Sequence, residues 1–210
     1  METTAPATPR PAEGARHQAV HDAVRALVRE QGVQISMDAV AARAGCSKQT
    51  LYSRYGSKQA LLLQVLVEDS NNATRLPSAP DARTLRASLV RFARDHLARL
   101  SEPDAITTAR LIAAQATQFP DDVRALYAAW IASLQDRLAA WLQQAMRRGL
   151  LRHDDPHSAA ELLLGMIVAL DFDRQGFLVP HRDQTTRQAE WAEFAVDGFL
   201  RAFAPPLSRT

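Results

Sequence analysis

Two serines and two glycines within residues 36–58 restrict the possible folds more than any other feature of the chain. The segment reads SMDAVAARAGCSKQTLYSRYGSK. Met37, Val40, Ala41 and Ala44 recur at the spacing of one helical face. Ser36 stands where an N-cap belongs, its hydroxyl able to accept from an otherwise orphaned amide. Gly45 then supplies the left-handed residue that ends a helix and turns the chain sharply. Ser47 offers a second N-cap, and residues 48–54 make about two turns before Gly56 stops them. Two short helices joined this tightly form a helix-turn-helix, whose second member is shaped to lie in a DNA major groove.

The charge of the segment points the same way. Arg43, Lys48, Arg54 and Lys58 are basic and no acid falls between Asp38 and Glu68, so residues 39–67 carry +4 against +2 for the whole chain. A local positive patch beside a short polar helix suits phosphate contact. Tyr52 and Tyr55 lie on the same element, and a phenol at a groove rim can donate to a phosphate. Leu51 reads as core. Tyr55 reads either as core or as a rim residue, and Arg43 either as a solvated helix charge or as a phosphate contact. Gln49 and Thr50 can hydrogen-bond bases of either class, so they predict a contact and not an operator.

The stretch AVAARAGCSKQTLYSRYGSKQALL resembles the N-terminal domain of the TetR family of bacterial transcriptional regulators. The likeness covers roughly residues 16–66 and implies three helices plus a fourth leading into a ligand-binding bundle. It implies that Ser36 and Ser47 cap the two helices and approach phosphates; Lys48 is a DNA-binding candidate from the segment's charge. Tyr52 matches the family's phosphate-binding tyrosine and Lys58 its lysine opening the fourth helix. Gln49, Thr50, Ser53 and Arg54 are then the side chains expected to face base edges. Two departures stand out: Gln49 replaces a common glycine, and Tyr55 replaces a common phenylalanine.

Proline and glycine divide the remainder into helices. Gly32 ends a first helix, about 16–31, whose apolar face is Val20, Val24, Leu27 and Val28. A fourth helix, about 58–75, buries Leu61, Leu62, Val65 and Leu66 and runs into a break at residues 77–80. A fifth reaches Pro103, a sixth spans about 104–118, and Pro120 opens a long seventh that ends at Gly149. Pro156 starts the eighth, Pro180 precedes the ninth, and Pro205 and Pro206 end it. No stretch alternates at period two, so no sheet is expected. The predicted class is all-α with about nine helices. The expected organisation is a disordered leader at 1–14, a DNA-binding domain at 15–75, and an effector-binding and dimerisation domain at 76–206. Arg10 and Arg16 lie near enough to DNA to touch a backbone.

The last two helices carry apolar residues on more than one face. Leu163, Met166 and Ile167 on the eighth and Trp191, Phe194 and Phe199 on the ninth are the expected subunit interface. Such helices need a second partner, and a four-helix bundle between two copies supplies one. A dimer also gives so short a recognition helix a second half-site. Helices five to seven place His96, Arg110, Gln115, Tyr127 and Trp130 among apolar neighbours, and with Met166 these are the candidate effector-binding residues. Alternatives stay open: His96 complementing a helix dipole, Arg110 pairing with Asp104, Trp130 as core. Residues 110–130, RLIAAQATQFPDDVRALYAAW, resemble the AefR-like C-terminal subclass of the family.

Composition excludes several other classes. With 210 residues and 47% hydrophobic side chains the chain can bury a substantial core and a satellite domain. The longest apolar run, 162–170, is too short to span a bilayer, and METTAPATPRPAEGAR has no apolar signal core. A single cysteine, Cys46, excludes an intramolecular disulfide and fits a reducing cytoplasm. It reads as a buried turn residue before it reads as a redox switch. There is no glycine-rich phosphate loop and no positioned base beside a serine. His153 and His157 are separated by Pro156 at a helix start, so one helix face does not present both to a metal. The reading is a non-enzymatic, cofactor-free transcriptional regulator of the cytoplasm and nucleoid. It is expected to be a homodimeric repressor that leaves a palindromic DNA operator on binding a small apolar or amphipathic effector. A DNA-binding protein with no effector is the rival, and an enzyme on a helical scaffold the remote one.

Overall fold

Val20, Val24, Leu27 and Val28 repeat at helical spacing and form the buried side of α1 (Glu13–Gln31). The computed structural model describes residues 13–73, 76–179, 182 and 185–205. Most of the expected leader, Arg10 included, lies outside the described residues. The first described helix, α1, opens at Glu13.

A single 3-10 turn (Gly32–Gln34) leads to α2 (Met37–Ala44), α3 (Lys48–Tyr55) and α4 (Lys58–Ala73). Met37, Val40 and Ala41 of α2, Leu51 and Tyr55 of α3 and Leu61, Leu62 and Val65 of α4 close one core with α1. The side chain of Leu66 lies outside the described residues. Then follow α5 (Leu85–Leu100), α6 (Pro103–Ala114) and α7 (Pro120–Tyr127). A π-helical turn (Ala128–Ala132) joins α7 to α8 (Ser133–Arg147), so the long seventh helix is a rod with a widened turn in its middle. Such turns often mark functional positions.

The chain ends with α9 (Pro156–Val168), a short α10 (Asp171–Gly176) and α11 (Thr185–Ala202). Among the described residues there is no strand, and counting the rod as one there are ten helices. The unexpected one is α10. Ala169 turns the chain with a φ of 45°, and buried Asp171 anchors the segment by pairing with Arg182 at 2.6 Å and Arg174 at 3.5 Å.

A second core is built where α5 lies along α11 and α8 lies along α9. Ala159, Ala160, Leu163 and Ile167 of α9 meet Ala192, Ala195, Val196 and Phe199 of α11 there, all buried. Alanines at the crossing let the helices approach closely, and the larger side chains interdigitate around them. Leu163, Ile167 and Phe199 are each 0% exposed within one protomer. Their packing partners lie inside the same chain. Leu162 and Phe194 face outward, 48% and 63% exposed, while Met166 is half-buried against the core.

The first core also takes in Leu126, with Ile112, Phe119 and Val123 packed against it. Helices α6 and α7 thus dock on the helix-turn-helix unit. Among the described residues no helix is long and apolar enough to cross a membrane.

Candidate functional site

The local geometry of α2 and α3 follows from their caps. The Ser36 hydroxyl accepts from the Ala39 amide at 3.1 Å, and the Ser47 hydroxyl accepts from Thr50 at 3.0 Å. Between them Gly45 adopts φ 66°, and the Cys46 amide donates to the Ala41 carbonyl at 3.0 Å. That is the glycine-terminated helix end expected from the sequence. Cys46 is partly buried in the turn, and burial pushes its thiol pKa up, which disfavours the reactive thiolate.

Leu51 and Tyr55, one turn apart, pin α3 to the core. Every other candidate on α3 faces outward: Lys48, Gln49, Thr50, Tyr52, Ser53 and Arg54 are all exposed. The Thr50 hydroxyl also engages Ser47 at 2.8 Å, so the cap and a candidate base contact are coupled. Arg54 lies 5.8 Å from the Tyr55 ring centroid. Tyr55 is resolved as a core residue: its hydroxyl is buried and has no hydrogen-bond partner, and burial pushes its pKa up.

Three of the patch's cations hold acids. Lys48 reaches Asp38 at 2.8 Å and Arg43 reaches Glu30 at 2.8 Å, both pairs exposed. These contacts raise the Lys48 and Arg43 pKa values and lower that of Glu30. Exposed pairs are weak and exchangeable, so both side chains remain available to a phosphate. Lys58 is placed differently. Its Nζ donates to the Val33 carbonyl at 3.1 Å and lies 3.7 Å from Asp122 at the start of α7. Gln59 donates to the same Asp122 at 3.1 Å. The base of α4 is therefore held by the rod, through contacts between residues so distant in sequence that no local pattern announced them.

The six candidate effector residues are not brought together. Trp130, carried on the π turn, lines a cavity of about 410 Å³ between α1, α4, α6 and the end of α5. Its apolar walls include Val24, Val28, Val65 and Ile112. Its rim carries paired charges: Arg25 with Asp22, Arg29 with Asp104 and Arg99 with Glu102. Arg110 lines a separate space of about 190 Å³ and donates to the Gln175 carbonyl, while Asp104 pairs with Arg29. His96 stacks on Phe92 at 6.1 Å and lies in neither cavity. Burial lowers its pKa to about 4. Tyr127 is 58% exposed, and the Met166 methyl lies against Gly198 of α11.

Gln115 is engaged between the two units. Its Oε1 accepts from the buried Val33 amide at 2.9 Å and its Nε2 donates to the Gln31 carbonyl at 3.1 Å. Both its polar ends are occupied in fastening the end of α6 to the end of α1, so it serves as a latch. Trp191 is likewise engaged within the protomer, donating to the Ile167 carbonyl at 2.8 Å beneath the Arg182 guanidinium, 3.7 Å from the ring centroid.

A capped, glycine-turned helix pair presenting a polar, basic helix defines the class as a helix-turn-helix DNA-binding protein. Residues 21–65 match the family model described as bacterial regulatory proteins, tetR family. Residues 87–205 match that of the AefR-like transcriptional repressor, C-terminal domain. The chain belongs to the TetR family of transcriptional regulators.

Solved structures agree. A TetR transcriptional regulator from Agrobacterium tumefaciens is 25% identical, with a TM-score of 0.73 over 91% of this chain and 95% of that one. A flavonoid-responsive regulator, FrrA, is 29% identical, with a TM-score of 0.71 over 92% and 99%. A TetR-family regulator from Mesorhizobium loti, 24% identical, shares the fold with a TM-score of 0.71 over 93% and 100%. No curated protein matches the chain.

Proposed function

We propose that this regulator is a homodimeric repressor that occupies a palindromic operator and leaves it when a small amphipathic molecule enters the cavity beside Trp130. The observation that carries the DNA half is the split of α3: Leu51 and Tyr55 buried, all of its other residues exposed. Gln49, Thr50, Ser53 and Arg54 face base edges. Ser36, Ser47, Lys48, Tyr52 and Lys58 bind phosphates, Lys58 after exchanging Asp122 for the backbone. The partner copy packs against Leu162 and Phe194, exposed apolar side chains that a monomer leaves in water, with the half-buried Met166 beside them. Residues 15–75 and 76–206 remain the working division, with α6 and α7 bridging it. The protein acts in the cytoplasm on nucleoid DNA.

The cavity suits the effector role because both functional units wall it. Val24, Val28 and Arg29 come from α1, while Asp104, Ile112 and Trp130 come from the effector side. A molecule that fills it and favours a wider α1–α6 separation shifts α1 and α4 together, and with them the spacing of the paired recognition helices. Those helices need about 34–36 Å, or a multiple, to enter successive major grooves. Release follows only if the ligand binds the non-DNA geometry more tightly. The flavonoid responsiveness of FrrA supports an aromatic ligand against the Trp130 indole.

The test is a fluorescence-anisotropy titration of operator DNA with and without flavonoids and related phenols, repeated on Trp130→Ala. Ligand-dependent release lost in the variant is expected. Release that is identical in both proteins would move the effector site elsewhere.

A further inference from the structure

Away from the DNA face and outside both cavities, three ligating side chains converge where α1 crosses α4. His17 and His21 lie one turn apart on α1, and their ring centroids are 3.9 Å apart. From the facing helix, Glu68 brings one oxygen 3.9 Å from His17 Nε2 and the other 3.4 Å from His21 Nδ1. One donor atom from each of the three lies within 4.8 Å of the others.

We propose that His17, His21 and Glu68 bind one divalent transition-metal ion, of which zinc is the reference case, and that the ion staples α1 to α4. Donors about 2.0–2.2 Å from a tetrahedral zinc stand roughly 3.4 Å apart. The His21–Glu68 edge already has that length and the His17–Glu68 edge is longer by about half an ångström, each to a different carboxylate oxygen. Taken as one donor atom per residue, all three lie within 4.8 Å, and small side-chain rotations would draw them onto one ion. Two imidazoles and one carboxylate favour zinc, nickel or copper over magnesium or calcium, which demand oxygen ligands. The His17–His21 spacing displays both rings on one continuous face because α1 is unbroken from Glu13 to Gln31. His153 and His157 lack this, since Pro156 opens α9 between them.

Burial grades across the cluster. The side chain of His21 is 3% exposed, that of His17 26% and that of Glu68 38%. The ion is therefore reached from the Glu68 side, where water completes its coordination. Gln64, one turn earlier on α4, donates to Glu68 Oε1 at 3.0 Å and orients the carboxylate, as outer-shell partners of metal ligands do. The expectation of no metal rests on six histidines scattered along the chain and on Pro156 splitting His153 from His157.

The experiment uses untagged full-length protein, stripped with chelator and dialysed, then titrated with zinc chloride by calorimetry and, in parallel, with cobalt(II) by visible absorption. The predicted result is one ion per protomer, ligand-field bands of low-symmetry nitrogen and oxygen coordination, and a melting temperature that rises with zinc. His17→Ala and Glu68→Gln should each weaken binding roughly ten-fold or more and remove the thermal shift. Both side chains are part-exposed, so circular dichroism and metal-free melting should match the parent. His153→Ala with His157→Ala should change nothing. Absence of stoichiometric binding overturns the proposal, as does stoichiometric binding that survives both His17→Ala and Glu68→Gln. Neither readout involves DNA, so the result stands apart from the fate of the operator proposal.

Discussion

Replacing Gly32 by alanine tests whether the helix-turn-helix unit is latched to α6. Gly32 has φ 63°, and a Cβ built there would stand 2.3 Å from Gln115 Oε1 and 2.9 Å from its Cδ. A glutamine tip can swing aside, so the collision alone is cheap. Moving it, however, breaks the bonds to the Val33 amide and the Gln31 carbonyl. Val33 is 1% exposed, so water does not replace the lost acceptor. A buried amide left unpaired costs about 1–3 kcal/mol, and a left-handed alanine adds roughly 1–2 kcal/mol. Gly32→Ala should therefore lose about 2–5 kcal/mol, with Tm falling roughly 2–4 °C for each. In a Gln115→Ala background the tip is gone, and the same change should cost only the left-handed share. Urea unfolding of the four proteins at one protomer concentration measures the coupling, expected at about 1–3 kcal/mol. Simple additivity, or a Gly32→Ala cost below about 0.5 kcal/mol, would refute the latch.

Other expectations follow from the same geometry. Lys58→Ala should weaken binding to all DNA sequences and lower the salt slope by about one. Gln49→Ala should relax discrimination at one base pair, at about 1–3 kcal/mol on the preferred site, and uniform weakening would make Gln49 a backbone reader. Tyr55→Phe removes a buried hydroxyl that has no partner, so chemical denaturation should show a gain of about 1–2 kcal/mol. A loss would mean that the hydroxyl is hydrogen-bonded in solution. Folding depresses the His96 pKa from 6.5 to about 4, so between these values the unfolded chain binds a proton that the folded chain does not. Stability should fall as the pH drops below about 6.5, by up to roughly 3 kcal/mol near pH 4. His96→Gln should flatten that part of the parent's pH dependence, and an unchanged profile would place the imidazole in water.

The helix-turn-helix was legible because its determinants are local. Ser36, Gly45, Ser47 and Gly56 act on amides and dihedrals within four residues of themselves, and the structure forms the two helices they bracket. Contacts made across the fold were not legible. Gln115 was a polar residue on a helix with no sign that it would meet Gly32, and Arg29 and Asp104 are equally remote in sequence. On α9 and α11 the sequence revealed two apolar faces without saying which turned inward. A signal was present: Ala159 and Ala160, like Ala192 and Ala195, mark where helices approach closely. They place Leu163, Ile167 and Phe199 inside and leave Leu162 and Phe194 outside, with Met166 between. The π turn and α10 had no local cue, since packing against α4 and the buried pairing of Asp171 sustain them.

The central claim is that residues 36–58 read one DNA sequence in two symmetry-related copies. Selection of binding sites from random and genomic fragments by the purified protein, at near-physiological salt, tests it most directly. The account predicts enrichment of an inverted repeat whose half-sites lie about one helical turn apart or a multiple of it, with affinity lost in Gln49→Ala at the enriched positions. Salt-sensitive binding with no enriched motif would contradict it, leaving a basic surface that holds phosphates and reads nothing.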